Sequence, residues 1–275
     1  MHRYKTILDL GSHSAKLFTR FDGKVELMDV MTWELLEDTT DLKSIEVDLQ
    51  IMLSKQNSTL QGKNGGAIEA IGTEAMRRSP VLSAYMSEMC RKLGIPYRTI
   101  SQKEEADLLH KAIADSDIPD NLDVINAGGG SIQIISKKDA CQHLIPFGIS
   151  DLNQSFDLLE SPEMRRVTEC IEWVAARLPA SLNQFAYTGG ELTYLRHFSI
   201  ELAGSFCKKS AFTALAEKLA VLELQKLEAS SPFDPKWMRG AIASNCIVLA
   251  GLVRANTDTF MATDLNIAHG FLKQV

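Results

Sequence analysis

The segment Asp9-Leu10-Gly11-Ser12-His13-Ser14 joins a tight glycine turn to two hydroxyls. A turn of this kind can point backbone N–H groups at an anion, and the hydroxyls add further donors. Asn126-Ala127-Gly128-Gly129-Gly130-Ser131 is a stronger case. Consecutive glycines between apolar strands lose much conformational entropy on folding, so they suggest a ligand that must approach the backbone closely. A third, hairpin-like signal, Tyr187-Thr188-Gly189-Gly190, follows Gln184-Phe185-Ala186 and could close over a bound ligand.

Two side chains could act beside these turns. In Ser101-Gln102-Lys103-Glu104-Glu105, Ser101 and Glu104 have the spacing of a capping box, which gives Glu104 a structural task at the helix start. Glu105 has no such task, and a carboxylate on the first turn of a helix could orient and deprotonate a water. In Gly72-Thr73-Glu74-Ala75-Met76-Arg77, Arg77 follows a strand end, where its guanidinium could grip a phosphate oxygen bidentately.

The elements that must position these groups follow from periodicity and turn residues. Residues 4–9 and 15–20 read as strands flanking the first glycine turn, and Val25–Met28 as a third strand. A polar, acidic stretch covers Glu34–Asp41, and helical spacing resumes over Ile45–Lys55. Ala67–Ile71 and Tyr97–Ile100 read as strands, Glu74–Arg78 and Val81–Leu93 as helices, with Gly94 as a C-terminal cap. This alternation predicts an α/β lobe. Ile118-Pro119-Asp120-Asn121 is turn-prone and divides the chain into 1–119 and 120–275. Residues 122–127 and 131–136 then repeat the strand, glycine turn, strand plan of residues 4–20, which points to an internally duplicated fold. The remainder reads as mainly helical, over Glu163–Leu178, Phe212–Glu228 and Pro235–Val253.

Composition narrows the classes. The 275 residues suit two lobes of ordinary size, and 45% hydrophobic with 23% charged residues is typical of a globular chain. No apolar run is long enough to span a bilayer and no signal-peptide core follows Met1, so a cytoplasmic, membrane-free location is expected. The five cysteines, Cys90, Cys141, Cys170, Cys207 and Cys246, are scattered and contain no CxxC pair, which fits reduced thiols rather than a zinc site. A net charge of −6 repels polyanions, so any anion site must be local, and nucleic acid is not the expected partner.

Taken in order, the motifs resemble the exopolyphosphatase/guanosine pentaphosphate phosphatase (Ppx/GppA) family of the actin-like ATPase superfamily. The family's DLGSNS hairpin is matched by Asp9–Ser14, its G-T-x-x-x-R by Gly72–Arg77, and its I-S-G-x-E-E-A by Ile100–Ala106. Its D-I-G-G-G-S-T-E corresponds to Asn126–Gln133, a later G-G-T turn to Thr188–Glu191, and S-D-x-x-L-R-E-G to Thr263–Gly270. The resemblance spans nearly the whole chain. It implies a two-lobed actin-like (ribonuclease H-like) α/β fold with a cleft between the lobes. It also implies release of terminal phosphate from inorganic polyphosphate or guanosine pentaphosphate. In the implied site, Glu105 activates water. Asp9, Gly11, Ser12, His13, Ser14, Arg77, Gly128, Gly129, Gly130, Ser131, Gly189 and Gly190 bind phosphate, and the chain is compatible with a homodimer.

The resemblance further implies Mg²⁺, held by Asp9 and the positions of Asn126 and Gln133. The family has aspartate and glutamate at the last two. An amide keeps the shape and one acceptor but loses the charge, and Mg²⁺ favours carboxylates, so weakened metal binding is expected. Other departures are Gln102 for a glycine and Ala268-His269 for an arginine and a glutamate; an R-L-G segment has no counterpart between Met28 and Thr40. These substitutions keep a second reading open, a degenerate relative that binds polyphosphate or a nucleotide without turnover. A sugar or acetate kinase of the same superfamily is disfavoured, because the chain is short for one and no adenosine-pocket motif is evident.

Overall fold

The computed structural model describes residues 5–33, 41–60, 68–136 and 142–273. The expected strand start at Tyr4, the polar stretch over 34–40, the strand start at Ala67 and the state of Cys141 lie outside the described residues. Cys90, Cys170, Cys207 and Cys246 are free and buried.

The chain divides into two units, Met1–Ala112 with Ile267–Val275, and Ile113–Asn266. In the first, β1 (Lys5–Leu10), β2 (Ser14–Phe21) and β3 (Lys24–Thr32) form an antiparallel meander. Then come α1 (Leu42–Leu60), β4 (Ile68–Gly72), α2 (Glu74–Arg78), α3 (Pro80–Lys92), β5 (Tyr97–Thr99) and α4 (Gln102–Ala114). β4 pairs with β1, and β5 with β4, both parallel, giving the order β3-β2-β1-β4-β5. Leu8, Leu10, Leu17, Leu49, Met76 and Met86 lie in its core. Ser79 caps α3 by accepting from the Leu82 amide, and Pro80 sits at its first position, where the missing N–H leaves nothing unsatisfied. Gly94, at φ +69°, follows the helix end as expected.

The second unit repeats the plan. β6 (Asp123–Ala127), β7 (Ile132–Ser136) and β8 (Gln142–Ile145) form a second antiparallel meander. They precede α5 (Ile149–Phe156), α6 (Met164–Ala175), β9 (Phe185–Tyr187), α7 (Glu191–His197), β10 (Leu202–Ala203) and β11 (Phe206–Lys208). The unit then continues through α8 (Lys209–Ala220), α9 (Leu224–Ala229), a 3₁₀ turn at Pro235–Gly240, α10 (Ala241–Arg254) and β12 (Thr259–Ala262). The sheet order is β10-β11-β12-β9-β6-β7-β8. Its β8-β7-β6-β9-β12 portion has the same order and the same antiparallel-then-parallel directions as the first sheet. The duplication expected from two glycine hairpins thus extends through five strands of each sheet.

Several expectations differ from the structure. The units divide between Ala112 and Ile113, not at residue 119, and α11 (Ile267–Leu272) groups with the first unit. Arg20 Nη1 donates to the Leu272 carbonyl at 3.0 Å, and a Cβ on Gly270 would collide with the Leu108 carbonyl of α4. The stretch read as one helix over Phe212–Glu228 is two helices, with the Leu222 carbonyl taken at 2.9 Å by Ser161 Oγ. The stretch from Pro235 begins as a 3₁₀ turn capped by Asp234, and short strands appear in the half read as mainly helical. Among the described residues, no helix is long and apolar enough to cross a membrane.

Candidate functional site

In each unit the candidate residues gather at the carboxyl ends of the parallel strands, where open α/β sheets place their ligands. The first unit offers the turn after β1, helix α2 after β4 and helix α4 after β5. These ends are stitched together: Thr73 N donates to the Leu10 carbonyl at 3.1 Å, and Ile100 N to the Gly72 carbonyl at 2.9 Å. The second unit offers the turn after β6, the Thr188–Gly190 segment after β9 and Thr263–Asp264 after β12.

The two glycine turns close alike. Gly11 N donates to the Ser14 carbonyl at 2.9 Å, and Gly128 N to the Ser131 carbonyl at 2.8 Å. Each is braced through its carbonyl oxygens. Trp33 Nε1 donates to Gly11 O at 2.9 Å and Trp33 N to His13 O at 2.9 Å. Ile149 N donates to Gly128 O at 2.9 Å and Ser150 N to Gly129 O at 2.8 Å, so the start of α5 clamps the second turn. A Cβ on Gly148 would overlap the Gly128–Gly129 backbone, which is why glycine stands there. Turns whose acceptors are committed to the protein keep a bias towards anions. Ser12, Ser14 and Ser131 are buried, and Ser12 Oγ has no hydrogen-bond partner among the described residues.

Asp9, the penultimate residue of β1, faces Lys16 across the β1–β2 pair. Burial pushes its carboxyl up to about 7, against the pull of Lys16 and with a smaller push from Glu105. Lys16 is itself lowered by burial, opposed by Asp9. Lys16 was missed by motif reading, although counting back from the glycine turn places it opposite Asp9.

Glu105 is buried on the first turn of α4. Ser101 Oγ accepts from the Glu104 amide at 3.1 Å, the serine half of the expected capping box, but the Glu104 carboxylate pairs instead with Arg98 at 2.6 Å. Arg77 Nη1 lies 2.8 Å from Glu105 Oε2 and donates to the Ile100 carbonyl at 3.1 Å. Its Nε and Nη2 both donate to Glu74 Oε2. Burial raises the Glu74 carboxyl, but hydrogen bonds from Arg77 and Arg78 outweigh it and leave it below the ordinary value.

In the second unit, Asn126 and Gln133 are cross-strand partners on β6 and β7. Asn126 Oδ1 accepts from Thr188 Oγ1 at 2.8 Å. Gln133 is 1% exposed, and both of its side-chain polar atoms lack a partner among the described residues. Gly189 and Gly190 have φ of +93° and +110° and lead into α7, so this third signal is a strand–turn–helix junction, not a hairpin. Gly189 N donates to the Leu265 carbonyl at 3.1 Å. The donor set fits Mg²⁺ poorly: one unit offers two neutral amides, the other a protonation-prone Asp9 beside a lysine. Among the described residues, no group of three or more His, Cys, Asp or Glu side chains is placed to hold a metal ion.

No protein-family model and no curated protein matches the sequence. Solved structures do match. A Ppx/GppA family member from Aquifex aeolicus has a TM-score of 0.71 at 18% identity, over 98% of this chain and 96% of that one. An exopolyphosphatase from Cytophaga hutchinsonii reaches 0.78 at 13% identity, over 98% and 97%. An exopolyphosphatase-like protein reaches 0.76 at 14% identity, over 98% of both chains. The chain has the Ppx/GppA fold. The likeness is one of fold, and it agrees with the α/β class that the motif order implied.

Within this Ppx/GppA fold, Glu191 stands where the resemblance has a threonine, at the head of α7. It is 5% exposed, and its Oε1 has no hydrogen-bond partner among the described residues. Burial, with a further push from Asp264, raises its carboxyl to about 8. Asp264 itself is held by Thr193, whose amide and hydroxyl donate to its two oxygens at 3.0 and 2.7 Å. The folded state therefore retains a proton on Glu191 that the unfolded chain gives up. This contribution is fully present below the ordinary glutamate value and is lost as pH rises towards 8. Glu191→Gln should be more stable than the natural protein at pH 8.5, by on the order of 3 kcal/mol, and nearly equal at pH 4.5. Thermal unfolding across that range checks this; parallel stability curves would contradict it.

Proposed function

We propose that this chain is a phosphohydrolase of the Ppx/GppA family that releases terminal phosphate from inorganic polyphosphate or guanosine pentaphosphate. The observation that carries the reading is Glu105, a buried carboxylate on the first turn of α4, charge-coupled to Asp9 beside the Gly11–Ser14 turn. In the proposed reaction the backbone of the Gly11–Ser14 turn, in the same unit as Glu105, binds phosphate oxygens. Glu105 takes a proton from water as the water oxygen bonds to the terminal phosphorus. The anhydride P–O bond breaks, and its electron pair leaves with the shortened chain. Phosphoryl transfer of this type draws mainly on positioning and electrostatics, which rigid, braced turns supply. The Mg²⁺ that family resemblance implies would find neutral amides at Asn126 and Gln133, which suit a hard cation poorly.

The neutral Asn126 and Gln133 favour a second reading, a binder of the same ligands without turnover. Phosphate release from polyphosphate and guanosine pentaphosphate, with and without Mg²⁺, separates the two. We expect measurable release that depends little on Mg²⁺. Tight binding of either ligand with no release would establish the binder.

A further inference from the structure

We propose that Arg77 is a positioning residue for Glu105, and that its guanidinium serves the protein's own carboxylates rather than a phosphate. This deepens the hydrolase reading and rests on it for its catalytic consequence.

Each nitrogen of the Arg77 guanidinium is engaged within the first unit. Nη1 reaches Glu105 Oε2 at 2.8 Å and the Ile100 carbonyl at 3.1 Å. Nε donates to Glu74 Oε2 at 3.1 Å, and Nη2 donates to the same oxygen. Glu74 is fixed from its other side by Arg78 Nε at 2.9 Å. Arg77, Glu74 and Glu105 have side-chain exposures of only 17%, 18% and 10%. Formal charge is balanced across the two arginines and two glutamates. A phosphate that took the Arg77 fork would strand a carboxylate in a poorly solvated place, where an unpaired charge is strongly unfavourable.

The connectivity gives the arrangement a purpose. Arg77 leaves the helix after β4, bonds the end of β5 through Ile100, and meets the first turn of α4 at Glu105. It fixes the direction of the carboxylate and favours its ionised form, and a general base needs both. The opposing group is Asp9 of β1, which couples to Glu105 and is itself balanced by Lys16 of β2. Without Arg77, Glu105 keeps the like-charged neighbour and loses the guanidinium now 2.8 Å from its Oε2.

The test compares the natural protein with Arg77→Gln and Arg77→Lys. Tripolyphosphate is the probe, read by phosphate release, calorimetric affinity and the carboxyl ¹³C titration of Glu105. In Arg77→Gln we expect kcat to fall about tenfold or more with affinity changed less than about twofold. The acid limb of the rate profile and the Glu105 titration should both move to higher pH. Arg77→Lys should restore part of kcat and most of the titration, since an ammonium supplies charge without the fork. Loss of about tenfold or more in tripolyphosphate affinity, with the Glu105 titration unmoved, would overturn the proposal and make Arg77 a phosphate ligand. If the natural protein releases no phosphate, the hydrolase reading fails by itself. The titration and the binding isotherm then still decide what Arg77 holds. If Arg77→Gln does not fold, Arg77→Lys decides on the same readouts, a smaller upward shift at unchanged affinity supporting the proposal.

Discussion

Replacing Glu105 with glutamine should lower turnover of polyphosphate by roughly 10²–10⁴-fold, the range typical of losing a general base, while leaving ligand binding close to that of the natural protein. The amide has almost the same shape as the carboxylate but does not accept a proton from water at neutral pH. Folding should survive. Arg77 loses one partner and retains Glu74 and the Ile100 carbonyl, and the α4 start is capped independently by Ser101. Glu104→Gln is the matched control. Its carboxylate pairs with Arg98 at a site where both side chains are well exposed, so its loss should cost less than about 1 kcal/mol and leave turnover unchanged. Phosphate release, calorimetry and thermal unfolding on the three proteins are sufficient. Undiminished turnover in Glu105→Gln would remove Glu105 from the mechanism, and collapse of turnover in Glu104→Gln would point to its neighbour instead.

The second large effect is expected at the amide pair. Asn126→Asp with Gln133→Glu should raise Mg²⁺ affinity by about tenfold or more over a weakly binding natural protein, since a hard cation favours carboxylates over amides. The positions are suited to act together because Asn126 and Gln133 face each other across β6 and β7. Thr188 Oγ1 can go on donating to an aspartate at 126 as it does to the asparagine. Position 133 is almost fully buried, so two charges there without a cation repel each other and resist desolvation. The double variant should therefore unfold at a lower temperature without Mg²⁺ and regain stability as Mg²⁺ is added, by the linkage of binding to folding. The natural protein's unfolding temperature should barely respond. Any metal-dependent hydrolysis should increase in the variant. Tight Mg²⁺ binding by the natural protein, equal to the variant's, would show that other residues supply the ligands.

The sequence alone determined the two glycine hairpins. Strands read at 4–9 with 15–20, and at 122–127 with 131–136, are Lys5–Leu10 with Ser14–Phe21 and Asp123–Ala127 with Ile132–Ser136. Turn chemistry and apolar alternation act within a few residues, so they are legible without the rest of the chain. The Ser101 cap and the helix stop at Gly94 were legible for the same reason. Periodicity did not reveal the later short strands. β10, β11 and β12 have only two to four residues each, and what makes them strands is pairing with partners far away in the chain. Nor could order along the chain show that α11 belongs to the first unit; Gly270 fits against the Leu108 carbonyl only once α4 and α11 are side by side. Side-chain partners were the least legible of all. Glu74 and Arg77 lie three residues apart on one helix, but the pairing of Arg77 with Glu105 depends on an approach of a few ångströms between elements that follow different strands. Tertiary structure decided that the Arg77 guanidinium meets the Glu105 carboxylate.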